Sequence, residues 1–507
     1  MLFSKDRGEK TLEDQTVVKD QLVGKDYESS PINWTEEERR TLEKKFLLKL
    51  DLRMSILVVI YILNYIDRNN VPAARENGLV RDLNLTGSQY PSLLSLLYVG
   101  YILFQIPSNM IVEKTGRPSL YLPLCIILWG LISTLFYLVK DFGGAVAARF
   151  FLGTIEAAFF PGAVYLLSKW YTKRELAMRT AILYCGSLIS NSFGPLVAAG
   201  IIGGMNNDLG IPNWRWLFII EGSITMFIGI ITIFILPDFP HNSRGFTAEE
   251  RKLAVLRMTE DAGESDTDNT PALKALAGAF TDHRLYVMAL TLTAMVIGLA
   301  FNAFFPTLTG TLGYGHIETL LLAAPPFVFA TIVAFFNARH SDKTGERYWH
   351  CVWPLVMGIV GFIIAISTQV LAARYVSLFL MAGSYASFVV FYAWISGTFP
   401  RPPMRRSICI AFINAFSQLG NVSGSYIYPS RWGPSYHNSF GISIAMFGVC
   451  LLGLTFHRWD LARMNRKIEE LEREHASNGS DSATLGGVRP GKIPTSLDVR
   501  PGFRYML

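Results

Sequence analysis

Half of the 507 residues are hydrophobic and only 17% are charged, well short of the roughly one-quarter charge of a soluble domain. So little charge excludes a water-soluble globular protein of this length and points to lipid as the main solvent. The net charge of +6 does not signal nucleic acid, because the basic residues sit in short loops between apolar stretches, where they act as orientation signals.

Residues 1–52 read as a polar cytoplasmic tail with no cleavable leader. Within it, Thr35, Glu36, Glu37 and Glu38 form a capping box that opens a charged helix running into the first apolar stretch. A membrane span needs about 20 mostly apolar residues. Such stretches lie near 53–73, 89–111, 118–139, 144–168, 177–202 and 215–236, predicting a first bundle over residues 53–236. Residues 237–284 are polar and form a linker with a second capping box, Thr247 to Glu250. Six more stretches follow near 285–309, 318–338, 350–370, 373–398, 406–428 and 438–457, predicting a second bundle over 285–457. The predicted fold class is therefore an all-α membrane protein with twelve spans in two six-helix halves.

In the tail 458–507, Leu461, Met464, Ile468 and Leu471 recur at helical spacing and predict an amphipathic helix along the inner membrane face. Beyond it, 477–507 is rich in Ser, Gly and Pro and predicts disorder. Loops on the N-terminal side, with Lys114, Arg117, Lys169, Arg339 and Arg405 among them, hold more basic residues than the opposite loops, which places both termini in the cytoplasm. The five cysteines make no CxxC pair and no metal spacing with histidine. No nucleotide-binding loop or nucleophile elbow is present, so no cofactor, no metal and no enzymatic activity are expected.

The loop after the second span reads Asn109 to Glu113, Gly116 and Arg117, and the loop after the eighth reads Ala338 to Asp342, Gly345 and Arg347. In both, an acid precedes Gly by three residues and Arg follows within two. The same pattern at the same ordinal place implies a duplicated six-span unit, the architecture of transporters whose halves rock about a central site.

These loops resemble the signature of the major facilitator superfamily, which implies an inner gate braced by Glu113, Arg117, Asp342 and Arg347. Further motifs are similar to the anion:cation symporter family: Asn64 to Asn70 in the first span, Arg149 through Gly153 and Glu156 to Gly162 in the fourth, and Pro212 to Phe218. Gly420, Asn421, Gly424 and Tyr426, followed by Trp432 to Tyr436, resemble the fungal branch with allantoate, pantothenate and nicotinate permeases.

An ionisable residue inside a span costs on the order of 3 kcal/mol on insertion scales, so each needs a reason. Asp67 and Arg68 in the first span and Arg149 in the fourth lie at similar depth, about 8–9 Å below the outer end at 1.5 Å per residue. Glu156 follows Arg149 by two turns on one helix face. A proton-coupled symporter needs a desolvated carboxylate that exchanges a proton near neutral pH, and a fixed cation for an anionic solute. The planar fork of Arg suits a carboxylate. Asp67 and Glu156 can supply proton coupling, Arg68 and Arg149 anion binding, and the resemblance implies the same roles. The competing possibility is that these charges only pair internally, as Asp67 with Arg149 would.

Polar stripes complete the candidate binding site: Asn64 and Tyr65 in the first span, Asn191 in the fifth, Asn302 among Phe301, Phe304 and Phe305 in the seventh, Tyr392 in the tenth, and Asn414 and Gln418 in the eleventh. Interhelical hydrogen bonding is the plainer use for each stripe alone. Together they predict proton-coupled uptake of a small organic anion, such as a vitamin-like or nitrogenous carboxylate, at the plasma membrane. The partners would be the solute, protons and the bilayer, with no nucleic acid. The alternatives are a proton-driven exporter of a metabolite or drug and a non-transporting nutrient sensor.

Overall fold

A computed structural model describes residues 35–205, 208–263, 272–399, 403–477 and 505–506. Among the described residues every regular element is helical. The predicted start of the first helix is correct in detail: the Thr35 amide donates to Glu38 at 2.9 Å and the Glu38 amide returns to Thr35 Oγ1 at 3.3 Å. From this cap α1 runs unbroken over Glu36–Ala74. The chain continues through α2 (Gln89–Thr115), α3 (Pro118–Leu138), α4 (Phe142–Trp170), α5 (Lys173–Gly204) and α6 (Asn213–Ile235). The linker forms α7 (Ala248–Gly263) and α8 (Ala272–Phe280). The second half is α9 (His283–Gly310), α10 (His316–Thr344), α11 (Tyr348–Ser367), α12 (Leu371–Ile395), α13 (Pro403–Gly424) and α14 (His437–Ser477).

Among the described residues nine of these helices are long and apolar enough to cross a membrane. The sequence also places spans on α1, α2 and α13, and on α1 the charges of Asp67 and Arg68 dilute the apolar run. Large apolar side chains such as Leu103, Leu128, Phe151, Phe227, Phe335 and Leu452 face outward, while Asn64, Asp67, Arg149, Glu156 and Glu221 are buried. That is the reverse of a soluble protein and suits a lipid surround.

The internal repeat is visible in the backbone. Gly116 ends α2 at φ 61° and Gly345 ends α10 at φ 69°. Both are left-handed caps, which a residue with a Cβ adopts only under strain. An added Cβ would meet nothing within 4 Å at either position, so conformation, not space, calls for glycine there. At Gly153 the reason is space: a Cβ would lie 1.9 Å from the Leu97 carbonyl oxygen, because α4 packs directly on the α2 backbone.

The C-terminal expectation needs correction. Among the described residues no separate helix follows the last span; α14 continues without a break from its span to Ser477. Its stripe turns inward, with Leu461 and Ile468 in the same apolar cluster as Trp394 and Tyr505. The Tyr505 amide donates to Asn465 Oδ1 at 2.8 Å and the Trp394 indole to the Met506 carbonyl at 3.0 Å, so these two residues of the tail are docked. The predicted disorder elsewhere in 478–507, and the tail before residue 35, lie outside the described residues.

Candidate transport site

Three of the helices that line the centre of the bundle lose their regularity there. Helix α4 loosens at Ala157–Ala158, directly after Glu156, and Pro161 cannot donate back to the Ala157 carbonyl. Helix α9 tightens to a 3₁₀ stretch at Leu299–Phe304 around Asn302, and Pro306 withholds the bond to the Asn302 carbonyl. Helix α12 breaks at Ser384, before Tyr385. Irregular backbone at membrane depth is tolerated where it lines a cavity.

These breaks surround a cavity of about 160 Å³. Of the residues singled out from the sequence, Asn64, Tyr65, Arg68, Arg149 and Glu156 line it from the first half, with Asn191 on α5. Asn302, Tyr392, Asn414 and Gln418 line it from the second half. Phe301, Phe304 and Phe305 do not; they are fully packed into the apolar core. The aromatic wall instead comes from tyrosines: Tyr65 and Tyr392, together with Tyr98, Tyr101 and Tyr184, which the sequence reading passed over. Tyr98 and Tyr101 are one turn apart on α2, a spacing that could have flagged them.

The charges pair in an unexpected way. Arg68 Nε donates to Glu156 Oε2 at 2.7 Å, so Glu156 has a partner on α1 rather than Arg149 on its own helix. The Arg68 guanidinium also lies 5.0 Å from the Tyr101 ring and 5.3 Å from that of Tyr65, a favourable place for a cation. Arg149 is 2% exposed and donates one bond, from Nη2 to the Arg68 carbonyl at 3.3 Å. Its Nε and Nη1 have no partner. The cavity thus holds two guanidinium groups against one carboxylate. Asp67, expected beside them, faces away: it is 1% exposed and accepts from Ser133 on α3 and Thr225 on α6, each at 3.2 Å. The considered Asp67–Arg149 pair does not form.

Neutral groups are pre-tied. Asn69 donates to Asn191 at 2.9 Å, Tyr392 to Asn414 at 2.9 Å and Asn421 to Gln418 at 2.8 Å. The Tyr184 and Tyr392 rings meet across the halves at 5.2 Å. At the end away from the linker, polar bridges close the halves on each other. Arg75 donates to Ser430 at 2.9 Å, Thr307 to Glu76, and the Tyr426 hydroxyl lies 3.1 Å from that of Ser92.

Of the proposed inner-gate residues, Arg347 binds Asp342 at 2.7 Å and the Ser341 hydroxyl at 3.0 Å. Arg117 is exposed, and the Glu113 side chain lies outside the described residues. A further ionisable residue inside a span, Glu221 on α6, is 3% exposed. The sequence reading overlooked it, although its place in an otherwise apolar run was signal enough.

A multi-pass helical bundle with a polar cavity at its centre, bridged shut at one end between two repeated halves, is built as a secondary transporter. The chain belongs to the Major Facilitator Superfamily, whose sequence pattern matches residues 57–425. It is 32% identical over 459 residues to the MFS-type transporter cnsO of Penicillium expansum, covering 86% of this chain and 87% of that one. It is 30% identical over 326 residues to a putative tartrate transporter of Agrobacterium vitis, covering 64% of this chain and 71% of that one. A bacterial homolog of the human lysosomal transporter Spinster, inward-facing and unoccupied, shares the fold at a TM-score of 0.64 and 17% identity, over 81% of this chain and 96% of that chain.

Proposed function

We propose that this transporter takes up a small organic anion together with protons, by alternating access across the plasma membrane. The observation that carries the reading is Arg149: a buried guanidinium on the cavity wall with two of its three nitrogens unpartnered. A cation in that position costs several kcal/mol unless something answers it, and a carboxylate answers it bidentately. Arg68 supplies the second contact. The solute then competes with Glu156 for Arg68, and a proton taken by Glu156 releases that arginine, which couples the two ligands. Asp67 is the second proton-coupling carboxylate. The likeness to a putative tartrate transporter supports an organic acid as solute, and the motif resemblance narrows the candidates to the nicotinate, pantothenate and allantoate class of the anion:cation symporters. The same reading has twelve spans, cytoplasmic termini and inner-gate roles for Glu113, Arg117, Asp342 and Arg347.

The test is uptake of labelled carboxylates into cells lacking their own permeases. Uptake that rises at acid pH in the wild type and falls at least tenfold at sub-saturating solute in Arg149→Gln supports the reading. Absent uptake from protein shown to reach the surface overturns it in favour of export or sensing.

A further inference from the structure

Asp67 is one of two carboxylates in a compartment behind the cavity wall. Its oxygens accept from Ser133 on α3 and Thr225 on α6. Helices α1 and α6 run in opposite directions, so one turn outward from Asp67 on α1, at Asn70, corresponds to one turn back along α6 from Thr225, at Glu221. Asn70 is 2% exposed with Nδ2 unpartnered, and both carboxyl oxygens of Glu221 are buried without a hydrogen-bond partner. Neither Asp67 nor Glu221 lines the solute cavity, and among the described residues neither has an ion-pair partner. The other buried charges belong to the solute cavity: Glu156 on α4, the third carboxylate near Asp67, is paired with Arg68 on α1, and Arg149 on α4 lines the cavity, giving its one bond to the Arg68 carbonyl.

Two carboxylates in one dry compartment with no cation cannot both stay ionised, since each lacks solvent and repels the other. Hydroxyls can hold one of them as an anion, and Asp67 has two. Glu221 has no hydroxyl, and the one donor beside it, the neutral Asn70 amide, brings no charge, so a proton is the ligand that neutralises it, either on its own oxygen or between the two acids. Protonated, it gains an O–H donor. We propose that Asp67 and Glu221 form a proton-binding site separate from the solute cavity, holding one proton between two acids. The proton adds to a carboxylate oxygen and leaves from it, with no other bond changed. Because Asp67 adjoins Arg68 in sequence, charging this pair acts on the residue that holds Glu156 and the solute. The link to transport rests on the function proposed above; the proton site itself does not.

The experiment is infrared spectroscopy of the purified full-length protein in lipid, reading the carbonyl stretch of protonated carboxyl groups as pH is raised. A protonated-acid band is expected at neutral pH. It should be lost or displaced in both Asp67→Asn and Glu221→Gln, restored near its place in Glu221→Asp, and kept in Glu156→Gln. An identical band in wild type and both pair variants would overturn the site, as would a wild-type spectrum with no such band, whether sodium is present or absent. A parallel uptake series reads coupling: Glu221→Gln should flatten the pH dependence while leaving the solute KM within about twofold. A KM that rises with an unchanged pH profile would place Glu221 in a structural role. If the wild type moves no carboxylate at all, the infrared arm still decides the proton site.

Discussion

The two walls of the cavity differ in kind. The first half brings every charge, Arg68, Arg149 and Glu156, with Asp67 and Glu221 behind them. The second half brings amides and a phenol already tied in pairs, such as Tyr392 with Asn414 and Gln418 with Asn421. The two halves are thus divided: one carries the charges of the cavity, the other presents neutral hydrogen-bonding groups of fixed geometry. Where both copies keep the same residue, the glycine caps at Gly116 and Gly345, backbone geometry demands it in both.

The largest effect should follow from removing the unanswered cation. Arg149→Gln loses charge-assisted bonds to the solute that are worth about 1.5–3 kcal/mol, roughly a 10- to 150-fold rise in KM for a carboxylate. Arg149→Lys should recover only part of this, because an ammonium cannot form the paired fork. Saturation curves of uptake check both. If Arg149→Gln transports anions normally, the charge belongs to helix packing and the division of labour fails.

Glu156→Gln should come next. It frees Arg68 and raises the net positive charge of the cavity, so the anion KM falls, while release slows and maximal rate drops by about tenfold for 1.4 kcal/mol of extra ground-state binding. Initial rates against concentration separate the two parameters. A higher KM with unchanged maximal rate would mean that Glu156 only positions Arg68.

On the neutral wall the effects should be smaller and should concern choice rather than strength. Asn414→Ala or Tyr392→Phe breaks a neutral bond worth about 0.5–1.5 kcal/mol, up to roughly tenfold in relative affinity. Competition between carboxylates of different shape is the measurement. A uniform loss for all solutes would put these residues in the scaffold.

How much of this the sequence disclosed depends on the range of the interaction. Nine of the spans were legible because lipid imposes a length and a composition, and the second loop of the repeat because Gly345 is locally required. The cavity residues were also legible, since a polar group in an apolar helix stands out on its own. Which charge faces which was not. Arg68 and Asp67 are neighbours whose side chains leave α1 on different sides, one to Glu156 and one to Thr225, and only the packing of α4 and α6 decides the partners. Glu221 shows a different failure, since its charge was in plain view in the sixth span. The C-terminal stripe shows a third: Leu461 and Ile468 give the same periodicity whether lipid or protein covers them.

The charge asymmetry also extends to the linker, and there the expected effect is smallest. Among the described residues helix α7 is tied by ion pairs to the first half: Arg257 binds Glu43 and Glu175 at 2.6 Å each, and Lys49 binds Glu250 at 2.8 Å. The second half closes its own end with Asp282, which accepts from Arg284 at 2.9 Å and Arg405 at 2.6 Å. Burial alone would push the Glu250 carboxyl up, but bonds from Lys49 and the Thr247 amide outweigh it and hold the group below its ordinary value. A depressed carboxylate stabilises above its unfolded value, about 4.3, and the contribution disappears as pH falls through its lower folded value. Hydrogen exchange of α7, taken relative to the intrinsic amide rate at each pH, should therefore be slow and flat at neutral pH and speed up only in acid. Glu250→Gln should speed it at neutral pH by a few-fold, for about 0.5–1 kcal/mol. Equal acceleration in the second half would show that the linker clamps both halves, and the asymmetry would then end at the cavity.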